Sequence, residues 1–152
     1  MAIETVLVAI GPGDIDRAPR LAAEAKDVAG PSGATVVLAH AFTDKEYHDT
    51  LDKLDIQLDR EDTTPDDVAR HNATIRDIAD DLAGDDIDYE IRGTVGNPGE
   101  AIVELAKRTK ADQVIVGGRK RSPTGKAVFG SVSQEVMLNA PCPVLYVRQG
   151  LE

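Results

Sequence analysis

The chain has 152 residues, with 27 acidic and 17 basic side chains and a formal net charge of −10. This length fits a single domain, residues 1–152, that can bury a core. The negative charge makes nucleic acid and anionic membranes poor partners, because both repel an acidic surface. One cysteine excludes an intrachain disulfide, and no apolar run reaches membrane-spanning length. The N-terminus lacks a basic signal region, so a cytoplasmic location is expected.

The first third of the chain predicts a strand, a helix and a second strand. The run TVLVAI at 5–10 is apolar and β-branched, which is typical of a strand buried on both faces. GPGD ends it, and a helix is predicted from about Asp16, with Pro19 in its first turn and Gly30 at its end. The segment 34–42 is the second buried strand.

The middle of the chain is more polar. Residues 43–64 predict an irregular or partly helical surface segment, and Pro65 opens a long amphipathic helix to about Leu82. The alternating segment 87–95 predicts a half-covered or edge strand. Asn97 then caps a helix whose first residue is proline.

The last third predicts a strand at 113–118, a loop at 119–128, a short helix at 131–140 and a final strand at 143–148. Strands and helices thus alternate along the whole chain. This alternation predicts an open parallel α/β sheet with right-handed crossovers. In such sheets ligands bind beyond the carboxyl ends of the strands.

Two glycine-containing stretches fit phosphate-binding motifs poorly. GPGDID at 11–16 has Asp16 where a dinucleotide fingerprint needs its third glycine, so an acidic helix cap is the better interpretation. In GRKRSPTGKA at 118–127, six residues separate the glycines where a Walker A loop has four, and Ala127 replaces the magnesium-binding hydroxyl.

A third stretch, 117–133, predicts an anion site. A buried strand ends at Gly117, a basic loop follows, and Gly130 precedes a helix that begins with Ser131 and contains Ser133. Helix N-terminal amides, hydroxyl donors and nearby cations together favour a polyphosphate. The alternative left open by composition is that the cations merely solvate the loop and that Ser131 merely caps the helix.

The whole chain resembles the universal stress proteins of the UspA family. That family carries the pattern G-x-x-G-x9-G-(S/T) between its fourth strand and last helix. Here Gly117, the nine residues between Lys120 and Gly130, and Ser131 reproduce the frame. The segments VVLAHAF, GNPGEAIVELAKRTKADQVIVGGR and APCPVLYVR extend the resemblance from end to end.

The resemblance implies a three-layer α/β/α fold with an open, parallel, five-stranded sheet. This is a Rossmann-like architecture of the adenine nucleotide alpha hydrolase type, with strand order 3-2-1-4-5. It also implies a stress-response regulator that binds ATP or another adenine nucleotide, with or without Mg²⁺. No enzyme activity is expected, although slow ATP hydrolysis stays an alternative.

The resemblance also implies which residues hold the nucleotide. Those implied for the phosphates and ribose are Gly117, Arg119, Lys120, Gly130, Ser131, Val132 and Ser133. Those implied for the adenine are Ala9, Ile10, Gly11 and Ala41. The family is commonly homodimeric, and the apolar final strand predicts a dimer through Val144, Leu145, Tyr146 and Val147 at a sheet edge.

Two positions depart from the family pattern. Lys120 replaces the second motif glycine, and Gly11 stands where nucleotide-binding members usually have an aspartate. Asp14 can take that aspartate's place only if the turn after the first strand folds back. These departures support the alternative of a dimeric interaction module of the same family that binds no nucleotide.

Two further side chains are expected to be structural. His40 ends the second strand among apolar neighbours, and no carboxylate–hydroxyl constellation near it is visible in the sequence. A packed histidine is therefore predicted. Cys142 lies between two prolines and is predicted to be a small core residue beside the last strand.

Overall fold

Five parallel strands form the sheet of this computed structural model, which describes residues 3–54, 62–118 and 130–148. The strands are β1 (Thr5–Ala9), β2 (Thr35–Phe42), β3 (Tyr89–Val95), β4 (Gln113–Gly118) and β5 (Val144–Arg148). They lie in the order β3-β2-β1-β4-β5. The predicted parallel sheet and its strand order 3-2-1-4-5 are confirmed.

Helices cover both faces of the sheet. They are α1 (Ala18–Ala29), α2 (Asp44–Lys53), α3 (Pro65–Ala69), α4 (Ala73–Gly84), α5 (Pro98–Arg108) and α6 (Ser131–Asn139). The core on one face joins Leu21 of α1 and Ile75 of α4 to Val8 of β1. The core on the other face joins Ile102 of α5 and Val136 of α6. The predicted three-layer α/β/α architecture is therefore confirmed.

Short local structures connect the strands to the helices that follow them. A 3-10 helix, Pro12–Arg17, connects β1 to α1, and Pro19 lies in the first turn of α1 as predicted. Thr43 caps α2, because its hydroxyl accepts a hydrogen bond from the Glu46 amide at 3.0 Å. Asn97 caps α5 by accepting from the Glu100 amide at 3.2 Å, so that predicted cap is confirmed.

The predicted single helix from Pro65 to Leu82 is wrong. The segment forms two helices, α3 and α4, separated at residues 70–72. Asp66 binds α3 to β3, since its Oδ1 accepts from the Gly93 amide at 2.7 Å. Asn72 then caps the new helix by accepting from the Ile75 amide at 3.0 Å. The side-chain cap at Asn72 thus starts a second helix inside a segment whose apolar spacing predicts a single helix.

Within the described part of the chain, every helix is too short or too polar to cross a membrane.

Candidate functional site

A cavity of about 340 Å³, here called the main cavity, opens at the carboxyl ends of β1, β2 and β4. Its apolar floor includes Ala9, Val116 and Ile102. Its polar wall includes Thr43, which directly precedes α2, and Glu46, which lies in the first turn of α2. This is the place where ligands bind in open parallel sheets.

The structure brings the described candidate residues together around this cavity. Those from the ends of β1 and β2 that line it are Ala9, Ile10, Gly11 and Ala41. Those from β4 and the start of α6 are Gly117, Gly130, Ser131, Val132 and Ser133. Arg119 and Lys120, the other two candidates, lie outside the described residues. The roles of all these residues in binding stay predictions.

The start of α6 presents backbone amides to the main cavity. The first bond inside this helix runs from the Gln134 amide to the Gly130 carbonyl at 3.0 Å. The amides of residues 131–133 precede it and have no carbonyl partner within the helix. A Cβ placed on Gly130 would meet no atom of residues 3–54, 62–118 or 130–148 within 4 Å. The helix therefore presents donors and a positive dipole end at the cavity.

Ser133 is buried and serves the fold as well as the cavity wall. Its hydroxyl donates to the Gly117 carbonyl at 3.0 Å and so links α6 to the end of β4. The hydroxyl proton is committed to that bond, so Ser133 can offer a ligand its oxygen as an acceptor but not the donor that the sequence predicted.

Asp14 and Arg17 form a buried ion pair beside the cavity, and their side chains are 6% and 7% exposed. Asp14 Oδ1 lies 2.7 Å from Arg17 Nε and 2.6 Å from the Nη2 atom. Its other oxygen accepts from the Gly11 amide at 2.7 Å. The turn after β1 therefore folds back and places the Asp14 carboxylate next to Gly11. Sequence reasoning left this geometry open and missed Arg17 altogether.

Gly117 is the position where this pair meets the sheet. A Cβ placed there would lie 2.6 Å from Asp14 Oδ1 and 2.8 Å from Arg17 Nε. Both distances are too short for a real side chain. The absent side chain of Gly117 thus makes room for the ion pair.

His40 is buried as predicted, but a carboxylate lies beside it. Its Nδ1 lies 2.5 Å from the Ile10 carbonyl oxygen and its Nε2 lies 2.7 Å from Glu46 Oε1. No carboxylate–hydroxyl constellation near His40 is visible in the sequence, and the Glu46 carboxylate is a partner that sequence reasoning did not identify. The T-x-x-E pattern at 43–46 signals a helix start directly after β2, and this signal could have identified Glu46. Instead of reaching back to the Thr43 amide, the Glu46 side chain binds His40.

Comparison with known proteins gives the chain its family. The model of the universal stress protein family matches residues 2–148. The chain belongs to the universal stress protein family.

Individual universal stress proteins support that assignment. A Thermus aquaticus universal stress protein is 47% identical over 53 residues, which cover 35% of this chain and 39% of that protein. Alignments with the curated relatives span between about a third and three fifths of their lengths. A universal stress protein crystallised in complex with cAMP is 27% identical with a TM-score of 0.67, over 99% of this chain and 100% of that one. A structure from Archaeoglobus fulgidus in complex with dAMP, 21% identical with a TM-score of 0.61, shares the fold over 97% of this chain and 99% of that one.

The remaining candidates for a functional site are the metal-ligating side chains and Cys142. Within the described ranges, no group of three or more His, Cys, Asp or Glu side chains is placed to hold a metal ion. Cys142 is partly buried and packs against the core on the α5 and α6 face. Burial raises the pKa of its thiol, and the nearby negative charge of Asp112 raises the pKa further. This setting is that of a structural cysteine.

Proposed function

We propose that this protein binds an adenine nucleotide in the main cavity and acts as a cytoplasmic stress-response regulator. The observation that carries the proposal is the start of α6. There, backbone amides lie at one end of a cavity with an apolar floor, and no described residue lies within 4 Å of a Cβ placed on Gly130. An anionic group at the amides and a flat base on the apolar floor match the chemistry of a nucleotide.

The size and electrostatics of the cavity fit this ligand. A volume of about 340 Å³ suits a small molecule such as a mononucleotide. Asp14, the carboxylate nearest the phosphate end, is neutralised by Arg17 and by the Gly11 amide. It therefore repels a phosphate far less than a free carboxylate would. The relative in complex with cAMP supports an adenine nucleotide as the ligand class.

ATP is our proposed physiological ligand, with or without Mg²⁺. Arg119 and Lys120 directly follow β4 in the sequence and are proposed to contact its outer phosphates. Lys can hold a phosphate as a point charge even where the family pattern has glycine.

We propose binding and signalling rather than turnover. The two carboxyl groups that line the cavity, those of Asp14 and Glu46, already bond Arg17 and His40. We infer that each of these carboxylates stabilises the wall of the cavity and does not act as a catalytic group. Release of inorganic phosphate from ATP above the rate of a Gly130→Val variant would support the alternative of slow hydrolysis.

Isothermal titration calorimetry with AMP, ADP and ATP, each with and without Mg²⁺, tests the proposal. We expect saturable binding to the native protein and its loss in Gly130→Val, because the added side chain fills the space in front of the α6 amides. Circular dichroism checks that the variant is folded. No heat at millimolar nucleotide would contradict the proposal and favour an interaction module without a nucleotide site.

We also propose a homodimer through β5. Among the described strands β5 lies at the edge of the sheet, and the backbone groups of an edge strand can pair with another strand. Val144, Leu145 and Tyr146 are only partly buried, whereas Val147 is 3% exposed. Sedimentation at micromolar concentration should give twice the monomer mass, and a monomer would contradict this proposal.

A further inference from the structure

His40 and Glu46 line the main cavity on the side of β2 and of the start of α2. His40 belongs to β2, and the phosphate end of the cavity belongs to β4 and the helix that follows it. Because β1 separates β2 from β4, their ends are roughly 10 Å apart at the usual strand spacing. A nucleotide whose phosphate lies at α6 therefore directs its base toward His40 and Glu46.

The hydrogen bonds of His40 fix the position of Glu46. The Ile10 carbonyl can only accept, so Nδ1 of His40 donates to it. On the other side of the ring, Nε2 lies 2.7 Å from Glu46 Oε1. This contact ties Glu46 to a ring that is itself only 5% exposed. The carboxylate is thus held at the cavity wall from a rigid strand.

The two oxygens of the Glu46 carboxylate differ in their hydrogen bonding. Oε1 contacts His40, while Oε2 has no hydrogen-bond partner among residues 3–54, 62–118 and 130–148. The Glu46 side chain is 33% exposed and lines the cavity. An acceptor in this place, beside the apolar floor, is suited to a donor group at the edge of a planar base.

We propose that Glu46 is the residue that selects the base, through a hydrogen bond from the 6-amino group of adenine to its second carboxylate oxygen. This inference rests on the proposed nucleotide site and adds a specificity determinant to it. Hypoxanthine and guanine carry an oxygen at position 6. That oxygen is an acceptor, so these bases lose the hydrogen bond from position 6 to Glu46. Their N1 proton lies one ring position away, and we expect these bases to bind more weakly.

The test is a comparison of AMP with inosine 5′-monophosphate, which carries an oxo group at position 6 and a proton on N1, where AMP has an amino group and an unprotonated N1. We expect the native protein to bind AMP about tenfold more tightly, as for one charged hydrogen bond at a partly exposed site. Glu46→Gln should bring this ratio close to one, because the amide can donate to the oxo group. Glu46→Ala, which removes the acceptor, should also abolish the preference and serves if the first variant does not fold.

Two further variants separate base selection from general damage. Asp49→Asn removes an exposed carboxylate from the same helix and should leave the AMP to inosine monophosphate ratio unchanged. Ser131→Ala should weaken both nucleotides by the same factor, because it acts at the phosphate end. An unchanged ratio in the folded Glu46 variants overturns the inference while the nucleotide site stands. Absence of binding of either nucleotide to the native protein overturns the proposed function itself.

Discussion

The end of β4 and the start of α6 each place a motif glycine at the main cavity, but their missing side chains serve different purposes. Gly117 leaves room for the buried pair of Asp14 and Arg17, which would lie within 3 Å of an added Cβ. At Gly130, by contrast, no described residue lies within 4 Å of an added Cβ. Substitutions at the two glycines can therefore separate the packing requirement at Gly117 from the proposed ligand requirement at Gly130.

The largest effect on stability is expected from removing the carboxylate that Gly117 accommodates. Asp14→Ala removes the carboxylate that contacts two nitrogen atoms of Arg17 at a site where the arginine is 7% exposed. Losing one member of such a pair should lower the free energy of unfolding by about 3 kcal/mol, measured by urea denaturation. Asp16→Ala, at an exposed position of the same turn, is the matched control. Equal losses in both variants would refute a special role for the buried pair.

A smaller loss is expected when a methyl group is added at the end of β4. Gly117→Ala places a Cβ 2.6 Å from Asp14 Oδ1, so the pair has to shift within a packed site. Overpacking of this kind costs roughly 1–3 kcal/mol in the free energy of unfolding. The same substitution in the Asp14→Ala background should cost less, because the obstructing oxygen is gone. An identical cost in both backgrounds would show that the pair is not the reason for the glycine.

The smallest effect on stability, and a large effect on binding, is expected at the start of α6. Gly130 has φ −70° and ψ 162°, an extended conformation that alanine adopts readily. Gly130→Ala should change the free energy of unfolding by less than about 0.5 kcal/mol. Calorimetry should show weaker AMP binding, because the new methyl group enters the space before the amides. Unchanged affinity would remove Gly130 from the proposed site.

Most of the fold was predictable because its signals are local. The apolar run VLVA in β1 has both of its faces covered, and Val6, Leu7 and Val8 are completely buried. Asn97 followed by proline announces the start of α5. By contrast, the break at Asn72 was missed, because the apolar spacing on both sides of it resembles one continuous amphipathic helix.

The candidate site was only partly predictable because its decisive contacts are between distant segments. The glycine motif and the strand ends led to nine residues that line one cavity. The contact of Asp14 with Gly117 depends on how β1 and β4 pair and on the fold of the turn after β1. The bond between His40 and Glu46 depends on where α2 begins after β2. The first contact has no sequence signature of its own, and the T-x-x-E pattern at 43–46 indicates the second only through the helix start.

The most direct test of the central claim is a crystal structure of the protein with AMP at saturating concentration. The account predicts phosphate oxygens within hydrogen-bond distance of the amides of residues 131–133. It also predicts the base against the ends of β1 and β2, with its 6-amino group toward Glu46. Nucleotide bound elsewhere, or a main cavity that stays empty in such crystals, would contradict the account.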